Sequence, residues 1–325
     1  MLKLPFRNIL LFTIFLLLNC TAYTELRKKE IIRGPEFMPY DGLKTTVAVM
    51  DFANESLYGS DRIGSAVADM LVTMLMRSGR FIVLERQLIQ EILQEQALGQ
   101  SGIITEETAP DVGSLLGVQT LITGTITEAD EETGSHIFRD EDEDEEEEKE
   151  DKGFWGLALK ATVGHIEISF RMTDTSTGTT ILSDRVSATE VRPGIGFKNS
   201  DYEIEDSFEF DQTILALATR KAINSMIRKI VGVAEELEWR GKVVEVANDS
   251  LVYFTPGRNS GIVIGDWFEV WGQHQATDFE GELYDEHIRK GSLEIIDFIG
   301  EKISKTVILD GGFMQTGDIV VPLDR

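Results

Sequence analysis

The chain has 325 residues, of which 42% are hydrophobic and 27% charged. This globular composition excludes general disorder, a collagen-like fibre and a multi-span membrane protein, and the length predicts about two domains. The formal net charge of -26 argues against nucleic-acid binding and against recruitment to anionic lipid by overall charge. The single cysteine, Cys20, excludes an intramolecular disulfide and a cysteine-based zinc site.

The N-terminus has the pattern of a secretory leader. Lys3 and Arg7 precede the apolar run 9–18, which is too short for a membrane-spanning helix and fits the core of a signal peptide. Cys20 follows that run at once, so residues 1–19 resemble the leader of a bacterial lipoprotein, in which Cys20 would be acylated. Several acyl chains would anchor the protein to the periplasmic face of the outer membrane of a diderm bacterium. The alternative is a plain secretory signal with a chance cysteine.

Residues 20–44 are mostly polar and contain two prolines, which predicts a lipid-anchored tether. An α/β pattern then covers residues 45–237. Its first elements in chain order are a strand at 46–52, an amphipathic helix capped by Ser60 or Asp61 and ended by Gly79, a strand at 81–84, helices at 86–98 and 109–116, and a strand at 118–126. This order predicts a mixed or parallel sheet with flanking helices.

Several short blocks of this region resemble the curli-secretion lipoprotein family of CsgG type over roughly residues 45–235. They are 47–52, 68–75, 80–87, 124–126 and 174–178. The resemblance implies a periplasmic α/β domain, self-assembly into a homo-oligomeric ring, and an outer-membrane role in exporting or assembling fibre subunits. It also implies two β-hairpins per subunit that line a pore, at about 127–172 and 183–212 here.

The two segments have only some of the sequence features that membrane hairpins require. Residues 140–151 contain eleven acids and one lysine, a run that cannot lie against lipid and is interpreted as a solvated linker, a hairpin tip or part of an aqueous lumen. The apolar alternation of 155–172 changes parity at Gly164, which predicts a β-bulge there. Residues 193–196 predict a turn. The alternation over 202–210 suits either a membrane strand or an edge strand of an ordinary sheet.

The rest of the chain predicts one long helix and a second domain. The helix covers 211–237, with a core-facing stripe that comprises Leu215, Ala218, Ala222, Met226 and Ile230. Over 238–325 the period changes to two and glycines recur, which predicts a small all-β barrel. Its segments 261–270 and 317–321 resemble the C-terminal barrel of the FlgT-type flagellar assembly family. Trp267 and Trp271 are predicted to plug the barrel, with ligand stacking as the alternative.

No residue pattern indicates catalysis, a cofactor or a metal site. The four histidines, His136, His165, His274 and His287, are scattered, and the HExxH, Walker and GxSxG motifs are absent from the sequence. Asp51 follows a strand, as many turn-forming acids do. We therefore predict a non-enzymatic lipoprotein with secreted or periplasmic protein partners, in a complex that exports or assembles surface polymers. The alternative is a scaffold of a periplasmic ring, or an envelope-maintenance lipoprotein, that forms no pore.

Overall fold

A computed structural model describes residues 25–59, 62–84, 118–137, 156–175, 177–198, 213–248, 250–277 and 283–323. Cys20, the predicted helices at 86–98 and 109–116, the acidic run 140–151 and the alternating segment 202–210 lie outside these ranges. The described part comprises a mixed sheet with helices and a closed barrel, so the predicted fold class is confirmed.

Within the described residues the sheet has six strands in the order β3-β1-β4-β5-β6, with β2 beside β4. Strand β1 is parallel to β3 and β4, whereas β4, β5 and β6 are successively antiparallel. The bounds are β1 Thr45–Val49, β2 Ala53–Asn54, β3 Phe81–Leu84, β4 Thr120–Ile137, β5 Gly156–Asp174 and β6 Thr180–Lys198. The last three strands are much longer than β1 and β3 and therefore extend past them.

In the described ranges, three α-helices accompany the sheet. Helix α1 covers residues 25–33, α2 is Ile63–Ser78 and α3 is Ile214–Ala234. Helix α1 therefore forms within the segment predicted to be a tether. Helix α2 ends at Gly79, whose φ of 71° is left-handed as predicted, but its N-cap is Arg62, which makes no side-chain capping bond. The predicted caps, Ser60 and Asp61, lie outside the described ranges.

Helices α2 and α3 pack against each other and against the sheet, and their apolar stripes form the main core. In α3 the predicted stripe is confirmed, since Leu215, Ala218, Ala222, Met226 and Ile230 are all buried. The same core takes alternate residues of β5 from Ile166 to Met172. Burial of this apolar surface is the main term that stabilises the layer of helices on the sheet.

The C-terminal part forms the predicted barrel, closed in the order β10-β11-β8-β7-β12-β9. Its strands are β7 Gly241–Asn248, β8 Leu251–Thr255, β9 Trp267–Thr277, β10 Leu283–Ile299, β11 Ile303–Gly311 and β12 Ile319–Pro322. The predicted tryptophan plugs are wrong: Trp267 is 50% exposed and Trp271 is half-buried. The aromatic core consists of Trp239, Phe254 and Phe268.

The barrel contacts the sheet next to the start of β1. The Trp239 indole N–H donates to the carbonyl of Lys44 at 3.1 Å, and the Lys44 amide donates to the carbonyl of Ser260 at 2.8 Å. Arg240 lies 3.5 Å from Asp174 at the end of β5. The barrel therefore sits at the end of the sheet where β1 begins, whereas the long parts of β4, β5 and β6 run away from it.

Candidate functional site

Helix α3 covers one face of the sheet up to a row of three residues that lie side by side on adjacent strands. Gly164 of β5 pairs with Glu131 of β4 on one side and with Glu190 of β6 on the other. The start of α3 lies directly over this row, because a Cβ atom on Gly164 would be 2.6 Å from the backbone nitrogen of Leu215. Only glycine permits such a close approach of helix to strand.

The bulge predicted at Gly164 is wrong. Strand β5 stays in regular register through Gly164 on both sides, and the nearby irregularity lies on β4 between Ile126 and Glu128. The apolar residues change parity because α3 begins here: from Ile166 onward the buried side chains are those beneath the helix. The change in the sequence pattern therefore marks the limit of helical packing.

Polar groups of the sheet and loops meet the start of α3. The Thr213 hydroxyl accepts a hydrogen bond from the Ala216 amide at 3.0 Å and caps the helix. A Glu131 carboxylate oxygen accepts from the Leu215 amide at 3.4 Å, where the helix dipole favours a negative charge. Burial, and then the charge of Glu131, raise the pKa of Tyr58. The row thus combines close helix packing with a carboxylate, Glu131, that bonds to the first turn of α3.

Glu190 fastens the N-terminal helix to the domain. Its side chain is almost completely buried, and its Oε1 accepts hydrogen bonds from Arg27 at 3.1 Å and from Lys221 at 2.7 Å. Lys221 also donates to the Thr189 carbonyl at 3.1 Å. A buried carboxylate requires such partners, because desolvation without them costs several kcal/mol. We call Arg27, Glu190 and Lys221 the anchor clamp.

Further contacts set the direction of α1. The Asn224 amide donates to the Ile31 carbonyl at 2.9 Å, so α1 follows α3 from Lys221 toward Asn224. Gly34, with a left-handed φ of 69°, ends this segment against Met74 and Asn224. The beginning of α1, and with it the chain that leads back to Cys20, therefore lies at the same end of α3 as the row of Gly164.

Beyond that row the three long strands continue side by side, with β5 paired to β4 on one side and to β6 on the other. The pairing runs to Ile137 and Ala158 between β4 and β5, and to Gly156 and Lys198 between β5 and β6. We call residues 131–137, 156–164 and 190–198 the sheet extension. The turn predicted at 193–196 is wrong, since β6 passes through these residues as a regularly paired strand.

The residues that the sequence singled out for chemistry are not brought together. The four histidines lie on β4, β5, β9 and β10; His165 contacts Thr189 at 2.8 Å and Glu128 at 3.4 Å. Asp51 is exposed after β1. Within the described ranges, no group of three or more His, Cys, Asp or Glu residues could hold a metal ion, and no helix is long and apolar enough to cross a membrane.

Sequence reasoning missed the anchor clamp. The signal for it is that Glu190 continues the alternation of Val186 and Ala188, which are both buried. An acid on the buried side of a strand needs a basic partner. That partner comes partly from Arg27, 163 residues away, and no local pattern points to a contact at this separation.

The chain resembles known proteins in sequence and structure. A family model described as "Curli production assembly/transport component CsgG" matches residues 38–251. A Neisseria meningitidis serogroup B protein assigned provisionally as a lipoprotein is 26% identical over 204 residues, which are 59% of this chain and 78% of that protein.

Two solved structures give weaker matches. Lipoprotein GNA1162 from Neisseria meningitidis is 11% identical with a TM-score of 0.31, and the match covers 59% of this chain and 99% of that one. The PelC dodecamer from Paraburkholderia phytofirmans is 13% identical with a TM-score of 0.25, over 60% and 91% of the two chains. Scores this low support no functional assignment.

Proposed function

The chain belongs to the family of the curli production assembly/transport component CsgG, and on this premise we propose that it is an envelope lipoprotein acylated at Cys20. It acts as a non-enzymatic, self-associating component of a periplasmic and outer-membrane complex that exports or assembles surface polymers. The provisional lipoprotein assignment of the Neisseria relative and the leader pattern of residues 1–19 support the acylation. Its partners are secreted proteins or proteins of the periplasm.

The anchor clamp is the observation that carries this proposal. Residue 25 is only five positions after Cys20, which is a reach of at most about 17 Å for an extended chain. From Arg27 onward the chain is fixed to Glu190 and α3. An acylated Cys20 would therefore hold the folded domain close to the bilayer, at the end from which the sheet extension projects.

The sheet extension favours the export role. Its paired strands β4 and β5 lie in the first segment for which the family resemblance predicts a hairpin, about 127–172, and β6 lies in the second, about 183–212. Strands of this length, repeated around a ring, would give the complex a continuous wall next to the membrane. Membrane insertion of these strands is part of the proposal.

A specific feature of β4 favours the alternative, a scaffold that forms no pore. Glu131 and Glu132, where this strand enters the sheet extension, are both exposed. A charge placed against the interior of a bilayer costs several kcal/mol. If these two residues and the extension remain in water, the ring rests on the membrane surface and serves in envelope assembly or maintenance.

Two measurements test the proposal. Intact mass and peptide mapping of the protein extracted from membranes should show a diacylglycerol-modified and N-acylated Cys20, and the Cys20→Ser protein should lack this mass increment. An unmodified Cys20 in membrane-bound protein would contradict the anchoring proposal.

Electron microscopy of the lipidated protein in nanodiscs separates the two functions. Density that crosses the bilayer in a ring supports the export role. A ring that only rests on the bilayer supports the scaffold. A monomer at concentrations at which related rings would assemble contradicts self-association and with it both versions of the proposal.

A further inference from the structure

The three helices form a basic layer in a strongly acidic protein. Together α1, α2 and α3 carry nine basic and three acidic side chains, a net charge of +6 in a chain whose total is -26. Helix α3 alone has four basic residues and no acid. Glu36, Asp184 and Glu190 form ion pairs with this layer and reduce its local net charge to +3. Exposed charges are screened beyond about 8–10 Å at physiological salt, so a ligand at this layer senses this local positive charge and not the total.

Four of the nine basic side chains make no ion pair with any residue in the described ranges. They are Lys28, Lys29, Arg77 and Arg228. Three of them are exposed and Lys28 is half-buried. The intramolecular contacts of the anchor clamp thus leave part of the positive charge available to an external anion.

A groove of about 370 Å³ lies between the three helices. Its apolar lining includes Ile31 of α1, Met74 of α2 and Ile223 of α3, and its basic lining includes Arg77 and Arg220. Among the described residues, Asp69 is the only acidic one that lines it. At the groove, Ile32 leaves 48% of its surface exposed. Apolar lining and basic side chains in one groove match an amphipathic anion.

We propose that this layer binds anionic phospholipid of the bilayer in which Cys20 is anchored. Guanidinium and ammonium groups would hold the headgroup phosphate, and the apolar lining would take the adjoining glycerol and upper acyl carbons. The proposal rests on the proposed acylation of Cys20 in one respect. An acylated Cys20 would bring the bilayer close to this layer, because α1 begins five residues after that cysteine. A lipid anchor and a basic surface together give the two signals that stable membrane attachment requires.

Flotation with lipid vesicles tests this binding without the anchor. The protein is residues 21–325, which contain every described element and lack both the leader and Cys20. Vesicles of phosphatidylcholine alone are compared with vesicles of equal parts phosphatidylcholine and phosphatidylglycerol. We expect partition into the anionic vesicles only, weakening as salt is raised.

Paired substitutions locate the site. Removal of one basic side chain near an anionic surface weakens binding about fivefold, so Lys28→Ala with Arg77→Ala should weaken partition about 25-fold. The matched control is Lys302→Ala with Lys305→Ala, which removes the same charge from β11 and the turn before it and should leave partition unchanged. Thermal melting of all variants verifies that they are folded.

Three results would overturn the lipid site: no partition into anionic vesicles, equal partition into neutral ones, or equal losses in the two double variants. Because the assay uses unacylated protein, these results are independent of the mass measurement at Cys20. If Cys20 is acylated but the vesicles are not bound, the proposed function stands and this inference fails. If the vesicles are bound but Cys20 is not acylated, the lipid site stands and the proposed anchoring fails.

Discussion

The Arg27 guanidinium and the Glu190 carboxylate, separated by 163 residues in sequence, lie 3.1 Å apart and join the N-terminal helix to strand β6 of the sheet. Lys221 of α3 forms an ion pair with the same oxygen of Glu190. Three elements that are distant in the chain therefore depend on one buried carboxylate, and the path from Cys20 into the folded domain runs through it.

The clamp predicts a local effect of Glu190→Gln. Removing the charge weakens two charge-assisted hydrogen bonds, which should cost about 2 kcal/mol and release α1 first. Hydrogen exchange of amides 25–33 should accelerate more than that of α2. As a control, Glu235→Gln alters a half-exposed pair with Arg80 and should change stability by less than about 1 kcal/mol. Unchanged exchange in α1 would show that the clamp does not hold it.

A methyl group on Gly164 should disturb the packing of α3 against the sheet. In Gly164→Ala the new Cβ meets the backbone of Leu215 at 2.6 Å, and such overpacking costs about 1–3 kcal/mol. Gly134→Ala on β4 is the matched control, since nothing lies within 4 Å of its Cβ position. The free energies of unfolding of both variants, measured in urea, test this expectation. Equal stability of the two would mean that the helix can shift at no cost.

The contact of β6 with α3 should weaken in acid. A hydrogen bond from Lys229, followed by one from the Arg185 amide, holds the pKa of Asp184 below its ordinary range. A carboxyl with a lowered folded-state pKa stabilises the fold above its unfolded pKa, and that contribution is lost as the pH falls through the folded value.

Melting temperatures of Asp184→Asn and the unaltered protein should therefore converge below about pH 4. Asp41→Asn, at an exposed position, serves as the comparison and should retain the normal pH profile. A constant gap between Asp184→Asn and the unaltered protein from neutral to acid pH would contradict the assignment.

The loop between β11 and β12 holds a bulky residue in a strained conformation. Phe313 has a left-handed φ of 62°, which costs about 1–2 kcal/mol outside glycine and is better tolerated by asparagine. Its ring is completely exposed and gains nothing from packing. Phe313→Asn should therefore stabilise the protein by about 1 kcal/mol in urea unfolding. Phe313→Ala keeps the unfavourable backbone and should show no such gain; equal gains in both would rule out strain as the cause.

Local patterns in the sequence were sufficient for elements whose causes are local. Gly79 ends α2, and the stripe of α3 is buried. In both cases the deciding interactions, a left-handed cap or helical periodicity, lie within a few positions. The same patterns support the family assignment.

The sequence by itself also determined the fold class and the barrel, because apolar periodicity sets which faces must be buried. Only the tertiary structure decided what lies over each face. Gly164 serves a close helix contact and not a bulge, residues 193–196 stay in a strand because β5 supplies hydrogen-bond partners, and Glu190 is buried because Arg27 and Lys221 reach it. The basic layer arises likewise from helices far apart in the chain, since charge acts through distance in space and not through separation in sequence.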